Sequence, residues 1–269
     1  MSCSSSPTLP ERYRGALLGL ATGDAVGTTL EFKSPGSFTP ITDMVGGGPF
    51  HLQPGEWTDD TTMALCLAES LVERQGFDAH DQMERYVAWM RHGKFSVKGY
   101  CFDIGNTTAG ALHRFEQTRN PYAGSTDSHT AGNGSIMRLA PVALMYAQYP
   151  PIAIARCADS SRTTHGATTA VDACRYLSAL LVGVLNSATR EEVLAPHYSP
   201  VPGYWAAHPL HPEIDAIAQG SFKVRQPPQI RGTGYVVQSL WRSRLALYDT
   251  LTGLADRLLV LAQNIQREA

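Results

Sequence analysis

TTAVDACRYLSALLVGVL, residues 168–185, decides the fold class. Its eighteen residues are apolar on two sides of a 3.6-residue period, with Asp172 and Arg175 as its only charges. A strand rarely runs so long, and a surface helix shows one apolar stripe, so the stretch reads as a helix at the centre of a core. The neighbouring segments repeat the helical period. DDTTMALCLAESLVER (59–74) and AHDQMERYVAWMRH (79–92) each carry an amphipathic pattern, and another helix is expected from Thr107 after Asn106 as N-cap. In GNGSIMRLAPVALMYA (132–147) a glycine loop opens a helix that Pro141 should kink or interrupt. Further helices are expected on both sides of Thr163–Gly166, near Glu213–Ala218, over 234–248 and from 253 onward. No clear strand, heptad array or internal repeat is present, so the reading is a single all-α domain of about ten helices over residues 11–269, behind a flexible segment 1–10.

Two stretches depart from that pattern. RYRGALLGLATGDAVG (12–27) puts Gly15, Gly19, Gly23 and Gly27 on one helix face. Glycine costs helix propensity, so the stripe predicts close approach of another backbone. Residues 33–57 are rich in glycine and proline, and so long a loop inside a domain is often functional.

The composition narrows the function classes. Of 269 residues, 43% are hydrophobic and 17% charged, below the usual ~25%, which excludes disorder over most of the length. The formal net charge is −2, so no basic excess points to nucleic acid or an anionic membrane. The start, MSCSSSPTLPERYRG, lacks the apolar core of a signal peptide, and no apolar run approaches the ~20 residues of a membrane span. Five scattered cysteines without a CxxC pair read as reduced thiols in a cytoplasmic protein.

The sharpest chemical feature is GEWTDDTT (55–62). Thr58, Asp59 and Asp60 at a helix start fit two readings. One is an N-cap threonine with acidic residues favoured by the helix dipole. The other is a site for a hard cation such as Mg²⁺ or Mn²⁺, which takes carboxylate and hydroxyl oxygens. Glu31, after an apolar stretch, is either a solvated loop residue or an acid with a raised pKa. Asp103–Thr108 and Gly132–Ser135 each set small residues ahead of a helix, where free N–H groups suit phosphate oxygens. Two such loops beside an acidic site, without a Walker motif, point to a diphosphate ligand. His165 stands alone at a helix junction. His208 and His211 have no cysteine or acid at zinc-ligand spacing, and Ser135 lacks the context of a hydrolase nucleophile.

RGALLGLATGDAVGTTLEF (14–32), GEWTDDTTMAL (55–65), CFDIGNTT (101–108), GNGSIMRLAPVAL (132–144), SSRTTHGATTAVDACRYLSALL (160–181) and GTGYVVQSL (232–240), in that order, resemble the ADP-ribosylglycohydrolases. The resemblance implies an all-α orthogonal helical fold around two Mg²⁺ or Mn²⁺ ions. It implies hydrolysis of the bond between ADP-ribose and a modified protein side chain, most directly arginine, by a monomer. Thr58, Asp59 and Asp60 would be metal ligands. Glu31 would be the acid near the scissile bond, and Asp103, in its FDIGN setting, would contact the guanidinium. Asn106, Asn133, Gly134 and Ser135 would line the phosphates and ribose, with His165 and Tyr235 along the cleft. The family also carries a later Asp-x-Asp-Thr metal motif, which does not occur after Asp249. The corresponding expectation is a fold without its last helices, an incomplete second metal site and slow or absent hydrolysis. The alternative is an ADP-ribose-binding protein. A purely structural relative is a third reading, against which Glu31 and the Thr58–Asp60 triplet speak.

Overall fold

The computed structural model describes residues 7–34, 36–224 and 233–244. Ten α-helices run in chain order: α1 (Leu9–Gly27), α2 (Asp59–Arg74), α3 (Ala79–His92), α4 (Asn106–Thr118), α5 (Ala140–Met145), α6 (Pro150–Thr164), α7 (Thr168–Leu185), α8 (Arg190–Val193), α9 (Tyr204–Ala207) and α10 (Pro212–Gln219). A further helical stretch occupies 236–244. Among the described residues there is no sheet, only three isolated bridges.

α7 is the hub. Its residues contribute to both major core clusters. Cys174 and Val182 pack with Met63 and Leu67 of α2, Tyr86 and Trp89 of α3, and Phe115 of α4. Ala170, Ala173, Tyr176 and Ala179 pack with Trp205, Ile214, Phe222, Val236 and Trp241. By length and composition α7 would also pass as a membrane span, contrary to the expected absence of one, but 72% of that window is buried inside the protein. Both sides of the helix are apolar because both sides face core.

Local signals explain the best-defined ends. The Asp78 carboxylate caps α3 by accepting from the N–H groups of His80 and Asp81 at 2.9 and 3.0 Å. Gly93, left-handed at φ 66°, ends it. Several expectations are corrected. Pro141 does not kink a helix; it sits in the first turn of α5, where its missing N–H costs nothing. α4 starts at Asn106, with Gly105 as N-cap. The expected flexible segment 1–10 overlaps α1, which starts at Leu9 behind a Thr8–Glu11 capping box. The glycine stripe meets no neighbour: a Cβ built on Gly15, Gly19, Gly23 or Gly27 finds no atom within 4 Å. The helix expected from 253 onward, and the end of the one over 234–248, lie outside the described residues.

The 33–57 loop folds back on the turn after α1. Thr29 Oγ1 donates to the Gly46 carbonyl at 3.0 Å. Gly48 is left-handed (φ 66°), and a Cβ there would lie 2.4 Å from the Thr28 carbonyl oxygen. Gly48→Ala should therefore combine a backbone penalty with a clash against main chain that cannot rotate away. The expected loss is about 2 kcal/mol or more in urea unfolding. Because the displaced turn carries Glu31, the cleft described next should loosen too.

Candidate functional site

A cleft of about 520 Å³ opens where α1, α2, α4, the 132–134 loop and the end of α6 meet. It is lined at one end by Asp24, Glu31, Thr58, Asp59, Asp60 and Asp103, and at the other by Asn106, Asn133, Gly134 and His165. Sequence motifs that lie over a hundred residues apart thus share one wall.

The acidic end begins at α2. Thr58 has the extended backbone of an N-cap, but its side chain caps nothing. The cap comes from Asp24 on α1. One Asp24 oxygen accepts from Thr58 Oγ1 at 2.7 Å, and the other accepts from the Thr61 N–H at 3.0 Å and Thr61 Oγ1 at 2.7 Å. Both oxygens lie 3.1 Å from the Thr58 N–H. Asp24 was not among the expected site residues. Its one sequence signal was an acid inside a glycine-spaced helix. With Asp24 as the cap, Asp59 and Asp60 are left to face the cleft.

Four acids there are held in an unfavourable field. Burial is the main cause in each case. It raises Asp59 well above the ordinary carboxylate range, with Asp60, Asp103, Asp24 and Glu31 adding repulsion. Asp60 is pushed up to about 8 by burial and by Asp24, Asp103 and Glu31. Asp103 is pushed up to about 7 by burial and by Glu31 and Asp24. Glu31 is raised by burial, partly offset by a bond from Thr28 Oγ1 at 3.4 Å. Asp103 also holds a left-handed backbone, φ 58°, which a non-glycine residue adopts at a cost of about 1 kcal/mol or more.

This donor set is all oxygen, and no Lys or Arg among the described residues lines the cleft beside it, which is the chemistry a hard divalent ion fits. Thr58 Oγ1, its proton committed to Asp24, keeps lone pairs for the same purpose. Among the described residues no three His, Cys, Asp or Glu side chains are already arranged around one point as a metal site, so the fit to a cation rests on the oxygen donors and their mutual repulsion. His208 and His211 show no zinc arrangement: His208 stacks on Tyr204, and His211 accepts from the Glu213 N–H at the start of α10.

The other end is built from backbone. The first turn of α4 (Asn106, Thr107, Thr108) faces the cleft. In the glycine loop, the N–H groups of Gly132 and Asn133 are already used, by Thr130 and Gly234 carbonyls at 2.8 and 2.9 Å. Those of Gly134 and Ser135 have no acceptor among the described residues. The His165 ring lies under this loop, and a Cβ on Gly134 would come within 2.9 Å of its Cε1. Burial and the Arg138 charge lower the His165 pKa to about 3, so the ring is neutral.

Two expected residues do not present side chains to the cleft. Ser135 Oγ points into the core, accepting from Ser161 Oγ at 3.0 Å and lying 3.4 Å from Cys174 Sγ. The Tyr235 hydroxyl donates to Glu213 at 2.6 Å. Its segment serves the loop through main chain instead, with Gly132 and Tyr235 forming an antiparallel bridge.

The ADP-ribosylglycohydrolase family model matches residues 5–268. The chain is 43% identical over 269 residues to the ADP-ribosylarginine hydrolase Tri1 of Pseudomonas putida (strain GB-1), covering all of this chain and 69% of that protein. It is 40% identical to the Tri1 of Serratia proteamaculans (strain 568), covering 89% of this chain and 63% of that one. It is 34% identical to the ADP-ribosyl-[dinitrogen reductase] glycohydrolase of Rhodospirillum rubrum, covering 70% and 64%. The chain thus spans roughly two thirds of the length of these relatives. A solved structure described as an ADP-ribosylglycohydrolase-related protein complex superposes with a TM-score of 0.76 at 40% identity, over 89% of this chain and 76% of that one. With a family model matching nearly from end to end, this chain belongs to the ADP-ribosylglycohydrolase family.

Proposed function

We propose that this protein hydrolyses the N-glycosidic bond between ADP-ribose and an arginine side chain of a modified protein. The observation that carries this reading is the two-ended cleft, with repelling carboxylates at one end and free backbone N–H groups at the other. A diphosphate fits the N–H end, where Gly134 and the first turn of α4 meet its charge without lysines. The distal ribose and its linked guanidinium then fall at the acidic end. The names of the Tri1 relatives support arginine as the attachment.

Thr58, Asp59 and Asp60 would hold Mg²⁺ or Mn²⁺. Such an ion, when bound, supplies charge to orient the ribose hydroxyls and to acidify a water. The chain's own groups do the rest. Asp103 pairs with the guanidinium and fixes its plane. Glu31 handles protons: water adds across the bond from the ribose anomeric carbon to nitrogen, a carboxylate takes one water proton, and a proton reaches the departing nitrogen. The products are free ADP-ribose and unmodified arginine. Acids held above their usual range suit that exchange near neutral pH.

The test is release of ADP-ribose from an ADP-ribosyl-arginine protein with MgCl₂ or MnCl₂, beside calorimetric binding of free ADP-ribose. Release at any rate, including the slow one expected from the missing Asp-x-Asp-Thr motif, supports hydrolysis, and Glu31→Gln should lower kcat by about 100-fold or more at little cost in affinity. Binding without release would instead make the protein an ADP-ribose reader.

A further inference from the structure

Behind the glycine loop lies a fully buried cation. Arg138 is 0% exposed, and its guanidinium makes no ion pair among the described residues. It lies over the Tyr86 ring, 4.8 Å from the centroid. Nη1 donates to the Gly134 carbonyl at 2.8 Å, and Nη2 donates to Thr164 Oγ1 at 2.6 Å and to the Ser160 carbonyl at 3.4 Å. Burying an unpaired charge is expensive, and simple packing would be served better by methionine or leucine.

The hydrogen-bond roles suggest what the charge does. A guanidinium can only donate. Thr164 Oγ1 therefore accepts from Arg138, and its own proton is left for its other partner, His165 Nδ1, at 2.8 Å. Thr164 Oγ1 has no other acceptor for its proton among the described residues, so the arrangement that uses it makes Nδ1 the acceptor and puts the imidazole proton on Nε2. A Cβ on either Gly132 or Gly134 would lie 3.2 Å from Nε2, so this nitrogen sits directly against the loop. His165 is 2% exposed and lines the cleft, and Nε2 has no partner among the described residues.

We propose that Arg138 and Thr164 are positioning residues: they lock His165 as the Nε2–H tautomer, so that a neutral N–H is presented to an oxygen of the bound ADP-ribose. The part concerning ADP-ribose rests on the function proposed above; the tautomer does not. A neutral donor suits this place. It binds an oxygen without adding a positive charge that would compete with a divalent cation, and its direction does not change as the acids titrate.

The test has two arms on the full chain. In long-range ¹H–¹⁵N spectra, with His165 assigned by its loss in His165→Gln, the wild type should show an acceptor-type Nδ1 and a protonated Nε2, unchanged from pH 8 to pH 5. Thr164→Val, which keeps the shape and removes the hydroxyl, should lose that pattern, and Thr164→Ser should keep it. In calorimetry with MgCl₂, Thr164→Val should bind ADP-ribose about tenfold more weakly, with Thr164→Ser near wild type. A protonated Nδ1 in the wild type, or a Thr164→Val protein with tautomer and affinity both unchanged, overturns the proposal. Wild type that shows the expected tautomer but binds no ADP-ribose would sink the functional reading and leave the lock standing.

Discussion

Asp60→Asn is expected to make the cation-free protein more stable while removing its response to divalent cations and its hydrolysis. Asp60 lies in the field of Asp24, Asp103 and Glu31, and burial with that repulsion lifts its pKa to about 8. In the unfolded chain the value returns to about 3.9. Between those values the folded state binds more protons than the unfolded one, so stability falls as pH rises from about 4 to 8. Asparagine imitates the protonated acid. The variant should match wild type near pH 4, where Asp60 is already neutral, and exceed it at pH 8 by on the order of 1–3 kcal/mol. Urea unfolding in EDTA at both pH values measures this. Adding MnCl₂ at pH 8 should reverse the order: an ion at 100 times its Kd stabilises wild type by about 2.7 kcal/mol, and the variant should gain almost none of it. Turnover should drop by at least about 100-fold. A variant less stable than wild type at pH 8 in EDTA would mean that the acids are not in conflict, and the cation reading would lose its physical basis.

What was legible in the sequence is what short-range physics determines. α2 and α3 run over 59–74 and 79–92 as the periodicity predicts, because period, acidic first turn and αL termination all act within a few residues. The acidic triplet and both loops were legible as chemistry, and the cleft collects them. The misses are long-range. A side-chain cap stood as one of the two readings of Thr58, because nothing local shows a carboxylate 34 residues upstream. Ser135 was expected to line the phosphates and ribose, and no local signal shows that Ser161 and Cys174, on α6 and α7, hold its hydroxyl in the core. Nothing in the sequence singles out Arg138, since only the packed fold puts Tyr86 beneath its guanidinium and Thr164 within its reach. Helical period says which face is buried, not which polar group waits on the other side of the contact.

Asp24→Ala should act in the opposite sense to Asp60→Asn, although the two acids share one cluster. Asp24 repels Asp59, Asp60, Asp103 and Glu31, so its loss relieves charge conflict. It also satisfies the mouth of α2, taking the N–H and hydroxyl protons of both Thr58 and Thr61. Alanine leaves these four donors without their acceptor in a largely buried place. A lost N-cap costs about 0.5–2 kcal/mol, and each hydroxyl left buried without a partner adds about 1–3 kcal/mol before relaxation or water entry. The bonds outweigh the relief, and most clearly in acid. At pH 5 Asp60 and Asp103, raised to about 8 and about 7, are largely protonated and less repulsion remains to be removed, so the loss should reach about 2–4 kcal/mol. At pH 8 the relief is larger and the net loss smaller. Asp24→Asn, whose amide keeps one accepting oxygen, should fall between. Unfolding of the three proteins at both pH values separates the two roles: both substitutions gain on wild type as pH rises, but loss of the capping acid already costs stability in acid, where Asp60→Asn matches wild type. A stabilised Asp24→Ala at pH 5 would show that α2 does not depend on α1 for its cap, and the cleft would have to be held open by something other than this carboxylate.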